Sequence, residues 1–209
     1  MAMAKKVDSR GSVQAHLLGA GMILAIGCWR VLAPGGDEWS NFSPLMALFF
    51  CGAVYLRGDW RWAIPAFALI TSDLILNYRH LGTPVSADWW MAANYGCYAL
   101  AFGLGIWAAK GKSWAKLGGG LVAGSLLFYL ITSTAAWAVN PAYLQSLGGW
   151  FQALTIGDPA YHPQAWTFLR NSLVSDLFFG GLFAGVMEWT AARAGSPSLL
   201  AKDRRQATA

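Results

Sequence analysis

The chain has 209 residues, of which 56% are hydrophobic and 12% are charged, and its formal net charge is +5. Soluble domains carry roughly 25% charged residues, so this chain lacks the charge needed to cover an ordinary water-exposed surface. The basic residues lie between apolar blocks rather than along one stripe, which argues against nucleic-acid binding. Because about 20 apolar helical residues cross a ~30 Å hydrocarbon core, the long apolar blocks predict an integral membrane protein.

The beginning of the chain has the pattern of a signal peptide, because basic residues precede an apolar run. That run extends from residue 13 to residue 32, and no small-residue cleavage pattern follows it. The segment is therefore predicted to remain in the protein as its first transmembrane helix.

Six transmembrane helices are predicted from the apolar blocks, in an all-α bundle. In chain order they cover approximately residues 12–32, 44–56, 62–78, 87–109, 117–139 and 165–192. The second helix is short for a membrane span and begins at Pro44, which is tolerated in a first turn. The predicted domains are a cytoplasmic N-terminal tail at 1–11, the transmembrane domain at 12–192 and a basic cytoplasmic C-terminal tail at 193–209.

The connections between these helices alternate in positive charge. Twelve Lys and Arg residues fall on one side of the membrane, and three fall on the other. The positive-inside rule places the side with twelve in the cytoplasm, so both termini are predicted to be cytoplasmic. The richer side carries Lys5, Lys6, Arg10, Arg57, Arg61, Lys110, Lys112, Lys116, Arg193, Lys202, Arg204 and Arg205, and the other side carries Arg30, Arg79 and Arg170.

The connections on the outer side are the longer ones, at approximately 33–43, 79–86 and 140–164. Long irregular segments on one face of a bundle are typical of a lid or a binding loop, although a merely tolerated insertion has the same pattern. The candidate lid residues are Trp39 and Asn41 in the first segment and Trp150 in the last.

Polar side chains concentrate in the outer halves of the predicted helices. At 1.5 Å per residue, Asp73 lies about 16 Å from the cytoplasmic start of the third helix, past the membrane midplane. An ionisable residue at this depth costs at least ~2.5–3.5 kcal/mol, so it should face protein, water or ligand. The candidate substrate-binding residues are Asp73, Asn77, Asn94, Trp137, Arg170, Asn171 and Asp176.

Carboxylates, amides and aromatic rings gathered in one leaflet predict a cavity that is open to the outside and suits a small, partly flat, polar solute. Structural alternatives remain open for the same residues. In one alternative, Asp73 or Asp176 pairs with Arg79 or Arg170, or accepts a Trp indole N–H, which would fix the bundle. In the same alternative, the Asn side chains bond one helix to another. A further alternative is an intramembrane enzyme in which the two Asp residues act as acid and base.

No known catalytic pattern accompanies these polar residues. The sequence has no HExxH motif, no Gly-rich phosphate loop and no Ser/His/Asp order, so the chain is predicted not to be an enzyme. Cys28, Cys51 and Cys97 lie inside apolar blocks without a CxxC pattern. We therefore infer no metal site, no cofactor and no disulfide framework.

Several short motifs occur in a fixed order along residues 41–185. They are Asn41-Phe42-Ser43-Pro44, Ser72-Asp73-Leu74, Trp137, Arg170-Asn171-Ser172 and Ser175-Asp176-Leu177. With these motifs the chain resembles a family of small bacterial membrane proteins that are regarded as transport proteins. That family is similar to the substrate-binding S components of energy-coupling factor (ECF) vitamin transporters.

The resemblance implies a six-helix, S-component-like bundle in the bacterial cytoplasmic (inner) membrane that captures a vitamin-like solute on its outer side. It also implies docking through Ala15 and Gly19 onto a transmembrane coupling subunit that is driven by cytoplasmic ATPases. The first helix lacks a clean run of alanines, so a solitary importer or other partners remain alternatives. Since the chain has no P-loop, any ATP hydrolysis must come from a partner.

A second class of function is also compatible with the sequence. In that alternative the chain is an accessory subunit of a larger redox or photosynthetic membrane complex, and its twelve Trp residues serve packing. It predicts stable copurification with other chains and no small-molecule ligand.

Overall fold

A computed structural model describes residues 2–33, 39–85, 89–160 and 163–199. Within those ranges the fold is all-α, without strands, as the sequence predicts. The described residues confirm all six predicted segments as helices and contain one further helix. The helices are α1 (Ala2–Leu32), α2 (Leu45–Tyr55), α3 (Trp60–Leu81), α4 (Trp89–Ala109), α5 (Trp114–Val139), α6 (Leu147–Leu154) and α7 (Ala165–Arg193).

The structure differs from the predicted boundaries at two places. Helix α1 begins ten residues earlier than predicted, at Ala2, inside the segment that the sequence assigns to an N-terminal tail. Helix α6 lies in the 140–164 connection, which was predicted to be irregular. It forms because the Ser146 hydroxyl accepts a hydrogen bond from the Gly149 N–H and so caps the first turn.

Helix α2 lies at the centre of the bundle. Nine of its eleven residues are buried, and it packs against α1, α3, α4, α5 and α7. The outer helices follow one another around it in the order α3, α1, α7, α5 and α4. Over their described residues, α3 and α4 flank α2 without packing extensively against each other, so the ring of helices is open on that side.

Close packing around α2 depends on glycine at two facing positions. A Cβ added at Gly105 of α4 would collide with the Phe50 carbonyl, and one added at Gly120 of α5 would collide with the Phe50 ring. Small residues at such crossings allow helix backbones to approach closely. These two glycines therefore bring α4 and α5 directly onto α2.

Hydrogen bonds show which helix ends lie together. At one end, the buried Glu188 carboxylate forms an ion pair with Lys112 Nζ at 2.5 Å. It also accepts hydrogen bonds from the Tyr55 hydroxyl at 3.0 Å and from the Leu199 N–H at 2.7 Å. These contacts join α2, the α4–α5 turn, α7 and the segment after α7. We call this the Glu188 end, and we call the opposite end, which carries residues 39–44 before α2 and residues 140–146 after α5, the cavity end.

Two helices in the described residues are long and apolar enough to cross a membrane, at Val13–Leu32 and Trp114–Val139. Helix α2 is apolar but shorter. Large apolar side chains are also exposed on other helices, for example Phe67 and Ile70 on α3 and Phe178 on α7. A surface of this kind indicates contact with a membrane or with other proteins rather than with water alone.

Candidate functional site

A polar cavity of about 270 Å³ lies between α1, α2, α4, α5 and α7 at the cavity end. Its wall combines two charged side chains with amides, hydroxyls and aromatic rings, so that it presents both donors and acceptors of hydrogen bonds. The residues that line this polar cavity are Arg30, Asn41, Ser43, Leu45, Met46, Asn94, Tyr98, Phe128, Ser172 and Asp176.

A second space of about 310 Å³, the side chamber, adjoins the polar cavity. The two spaces share Asn41, Asn94 and Phe128. The side chamber lies against α5, α6 and the beginning of α7, and Tyr143 from the connection after α5 also lines it. Burial raises the pKa of the Tyr143 phenol, so this group stays protonated at neutral pH.

Asp73 is held by side chains from two other helices. Arg30 Nη1 on α1 forms an ion pair with Asp73 Oδ1 at 2.6 Å and also donates to the Ser72 hydroxyl at 2.7 Å. The Tyr95 hydroxyl on α4 donates to Asp73 Oδ2 at 2.9 Å. Asp73 therefore fixes Arg30 at the edge of the polar cavity and does not line the cavity itself. The alternative in which an Asp pairs with Arg79 is not seen in the described residues, because the Arg partner of Asp73 is Arg30 and Arg79 donates to the Val31 carbonyl.

Asp176 is buried at the base of the polar cavity and has structural partners of its own. Its Oδ1 accepts the Ala47 N–H at 3.1 Å, and its Oδ2 accepts the Ser125 hydroxyl at 2.6 Å. A carboxylate is favourable at this place because the N-terminus of α2 carries a partial positive charge. The side chain joins α7 to α2 and α5, and it is not paired with Arg170 as one alternative predicted.

The beginning of α2 leaves hydrogen-bonding groups facing this space. Pro44 precedes the helix without a side-chain cap, and the first N–H groups of a helix have no partner within it. Leu45 and Met46, which begin α2, line the polar cavity. The Ser43 hydroxyl also lines it and is buried without a hydrogen-bond partner in the described part of the chain. With Arg30, these groups offer donors to a negative group, while Asp176 offers acceptors to a positive one.

Three of the predicted binding and lid residues meet at the polar cavity. Asp176, Asn94 and Asn41 line it, and the two Asn residues also line the side chamber. Asn41 has a positive φ of 63°, which Asn tolerates better than most residues. Asn41 was predicted as a lid residue, and the structure places it on the wall between the two spaces.

Four other predicted binding residues line neither space. Asn171 Nδ2 donates to the Ser40 carbonyl at 2.9 Å, and its Oδ1 lies within hydrogen-bond distance of Arg170, so this pair holds the segment before α2 against α7. Trp137 Nε1 donates to the Leu144 carbonyl at 2.9 Å. Asn77 Nδ2 lies 3.5 Å from the Pro84 carbonyl. These side chains order the connections around the site.

The remaining predicted lid residues, both tryptophans, also lie outside the two spaces. Trp39 is exposed, and its ring stands edge-on to the Phe42 ring at 5.4 Å. Trp150 Nε1 donates to the Thr134 hydroxyl at 2.9 Å, which fixes the short helix α6 against α5. Trp150 thus holds the element that covers the side chamber.

The two predicted docking positions differ in exposure. Gly19 is buried, and a Cβ added there would lie 2.9 Å from Leu56 Cδ2, so this glycine serves the packing of α1 on α2 and α7. It offers no surface to a second chain in this conformation. Ala15 is partly buried and packs on the edge of the same core.

Sequence reasoning missed several lining residues. Arg30, Tyr98 and Phe128 come from three different helices, and nothing in a single sequence gives the rotation of one helix against another. An Arg inside a predicted span was the one available signal, because such a residue should face protein or solute. Ser43 and Ser172 lie within the motifs quoted for the family resemblance, but their positions beside the solute space required the structure.

Within the described ranges, no cluster of three or more His, Cys, Asp or Glu side chains has a geometry suited to a metal ion. A family model described as "Family of unknown function (DUF6580)" matches residues 12–199. No curated protein and no solved structure matches the chain.

Proposed function

We propose, for a chain that belongs to this family of unknown function, that it is the solute-binding subunit of a membrane uptake system. In this proposal six helices, α1 to α5 and α7, span the bacterial inner membrane with both termini in the cytoplasm. The polar cavity faces outward and captures a small, vitamin-like solute. The observation that carries the proposal is a cavity with polar walls inside a bundle whose outer surface is apolar.

The distribution of polar groups between inside and outside supports this function. Asp176, Ser125 and Asn171 are buried, while large apolar side chains such as Phe67 and Phe178 are exposed. Ionisable residues at membrane depth are costly, and they usually mark solute or ion pathways. Arg30 pairs with Asp73 and also lines an open space, which supports a role beyond helix packing.

The charges at the two ends support the proposed orientation. In the described residues, the Glu188 end carries basic side chains at Arg57, Arg61 and Lys110 and at further positions near α5 and α7. The cavity end carries fewer basic residues. The positive-inside rule therefore favours a cytoplasmic Glu188 end and an outward-facing cavity.

The lining indicates the character of the solute. Donors from Arg30 and the beginning of α2 line the same space as the Asp176 carboxylate, so a polar solute with groups of both kinds is favoured. Tyr98 and Phe128 add an aromatic wall, with ring centroids 6.4 Å apart and planes 18° from parallel. A flat ring packs favourably on such a wall.

Ligand binding by the purified protein tests this proposal. The protein in detergent is screened by thermal shift against vitamins and their precursors, and hits are measured by calorimetry. Asn94→Leu should weaken binding about tenfold, the equivalent of about 1.4 kcal/mol, because Asn94 lines both spaces and forms no hydrogen bond with other described residues. Asp176 is a poorer choice because it also joins three helices.

Asn77→Leu is the matched control, since Asn77 lies on α3 outside both spaces. It should leave affinity unchanged. Equal effects of the two substitutions, or no ligand from the whole screen, would contradict solute capture in this cavity.

One observation favours the second candidate function, an accessory subunit of a membrane complex. Gly181, Gly185 and Trp189 line an exposed apolar groove on α7, and small residues spaced in this way allow a partner helix to approach. Copurification of a stoichiometric partner from native membranes, without any ligand in the polar cavity, would support this alternative.

A further inference from the structure

A second opening leads into the bundle from the side. Between α3 and α4 lies an apolar cleft of about 340 Å³, which we call the α3–α4 cleft. Phe49 of α2 forms its floor, Trp62 and Ile70 line its α3 wall, and Tyr95 and Phe102 line its α4 wall. At 1.5 Å per residue, the span from Trp62 to Ile70 makes the cleft about 12 Å long.

The α3–α4 cleft adjoins the polar cavity through a single ring. Tyr98 lines both spaces. It stacks on Phe49, a cleft residue, at 5.6 Å, and it lies 6.4 Å from Phe128, a cavity residue. Its hydroxyl forms no hydrogen bond with the described residues, so rotation of this ring would break no hydrogen bond between helices.

The upper edge of the cleft is closed by one chain of polar contacts. Tyr95 of α4 donates to Asp73 of α3, and Asp73 pairs with Arg30 at the wall of the polar cavity. Below this contact, α3 and α4 do not pack extensively over their described residues. The cleft therefore opens toward the membrane along its length, while its top lies beside the polar cavity.

We propose that the α3–α4 cleft receives the apolar chain of a single-chain amphiphile whose polar head occupies the polar cavity. The inference rests on the proposed function and specifies its substrate class. The occupant follows from the adjacency of the two spaces, which share the Tyr98 ring. One molecule that displaces this ring and fills both spaces must be polar at one end and apolar at the other. Arg30 and Asp176 favour a head group that carries both charges.

Photocrosslinking in lipid nanodiscs tests this proposal. The probe is a lysophosphatidylethanolamine with a 12-carbon acyl chain that carries a diazirine near its middle. The reference is a 12-carbon alcohol with the same diazirine and no charged head. Labelled peptides are mapped by mass spectrometry, with and without an excess of unlabelled lysophosphatidylethanolamine.

The expected result is labelling of residues 62–70 and 95–102 that the unlabelled lipid competes away and that the alcohol does not reproduce. Ala99→Trp, which fills the cleft, should reduce this labelling about tenfold, a loss of about 1.4 kcal/mol. Ile70→Trp is a second filling variant at an exposed position and should act in the same direction. Leu100→Trp is the matched control on the neighbouring lipid-facing surface of α4 and should have no effect.

Two results would overturn the proposal. One is labelling spread evenly over the exposed apolar surface without competition. The other is competed labelling that both cleft-filling variants leave intact. The results distinguish this proposal from the proposed function. If a solute binds in a way that depends on Asn94 but the lipid probe does not label the cleft, only the amphiphile proposal is refuted. If Asn94→Leu changes the binding of neither solute nor lipid, the proposed capture site is refuted as well.

Discussion

The buried ion pair at the Glu188 end predicts that its two partners differ in how much stability their loss removes. The Glu188 side chain is 0% exposed and the Lys112 side chain is 27% exposed. Lys112→Met leaves a buried carboxylate without its counter-charge, which costs about 3–5 kcal/mol of unfolding free energy. Glu188→Gln lets the Lys112 ammonium return to water, so the cost is confined to weakened hydrogen bonds from Tyr55 and Leu199, about 1.5–3 kcal/mol.

The same reasoning predicts the behaviour of the double variant. Lys112→Met combined with Glu188→Gln should be more stable than Lys112→Met alone, because a neutral amide needs no counter-charge. Unfolding free energies are measured by titration of dodecyl maltoside micelles with sodium dodecyl sulfate. Lys110→Met, in the same turn but exposed, is the control and should change stability by less than about 0.5 kcal/mol. A double variant whose loss equals the sum of the two single losses would refute the argument.

Two further predictions concern the walls of the polar cavity and use the same unfolding measurement. Ser125→Ala removes a buried donor to the Asp176 carboxylate and should cost about 1.5–3 kcal/mol; a loss below that range would mean that Ala47 alone satisfies this carboxylate. Asn41→Ala keeps a β-carbon in a left-handed conformation but removes the short polar side chain that allows Asn to adopt it, and it should cost about 1–2 kcal/mol. Asn41→Gly should retain most of that stability, and equal losses for the two variants would exclude backbone conformation as the cause.

The fold was predictable from the sequence where the apolar blocks are long. Each of the six predicted helices exists, since a run of apolar residues bounded by Gly, Pro or charged residues gives both the element and its approximate ends. Helix α6 was not predictable in the same way, because it has eight residues and contains Gly148 and Gly149. Only the cap at Ser146 indicates its start.

The sequence predicted how far along each helix the site residues lie, but not toward which neighbour their side chains point. The position along each helix predicted that Asn94 and Asp176 lie toward the same side of the bundle, and both line the polar cavity. It did not show that Asn77 and Trp137 point toward the neighbouring connections, because rotation about a helix axis depends on contacts from other helices. The partner of Asp73 was missed for the same reason, since Arg30 lies 43 positions away in the chain.

The central position of α2 bears on how a solute would cross the membrane. Leu45 and Met46 form part of the wall of the polar cavity, and the residues that follow along α2 to Ala53 are buried. Gly105 and Gly120 allow α4 and α5 to close directly on Phe50, so the described residues leave no polar route from the cavity to the Glu188 end. A cavity that ends on a packed helix favours capture over conduction. In the proposed uptake function, release to the cytoplasm therefore requires a rearrangement that a partner chain would have to drive.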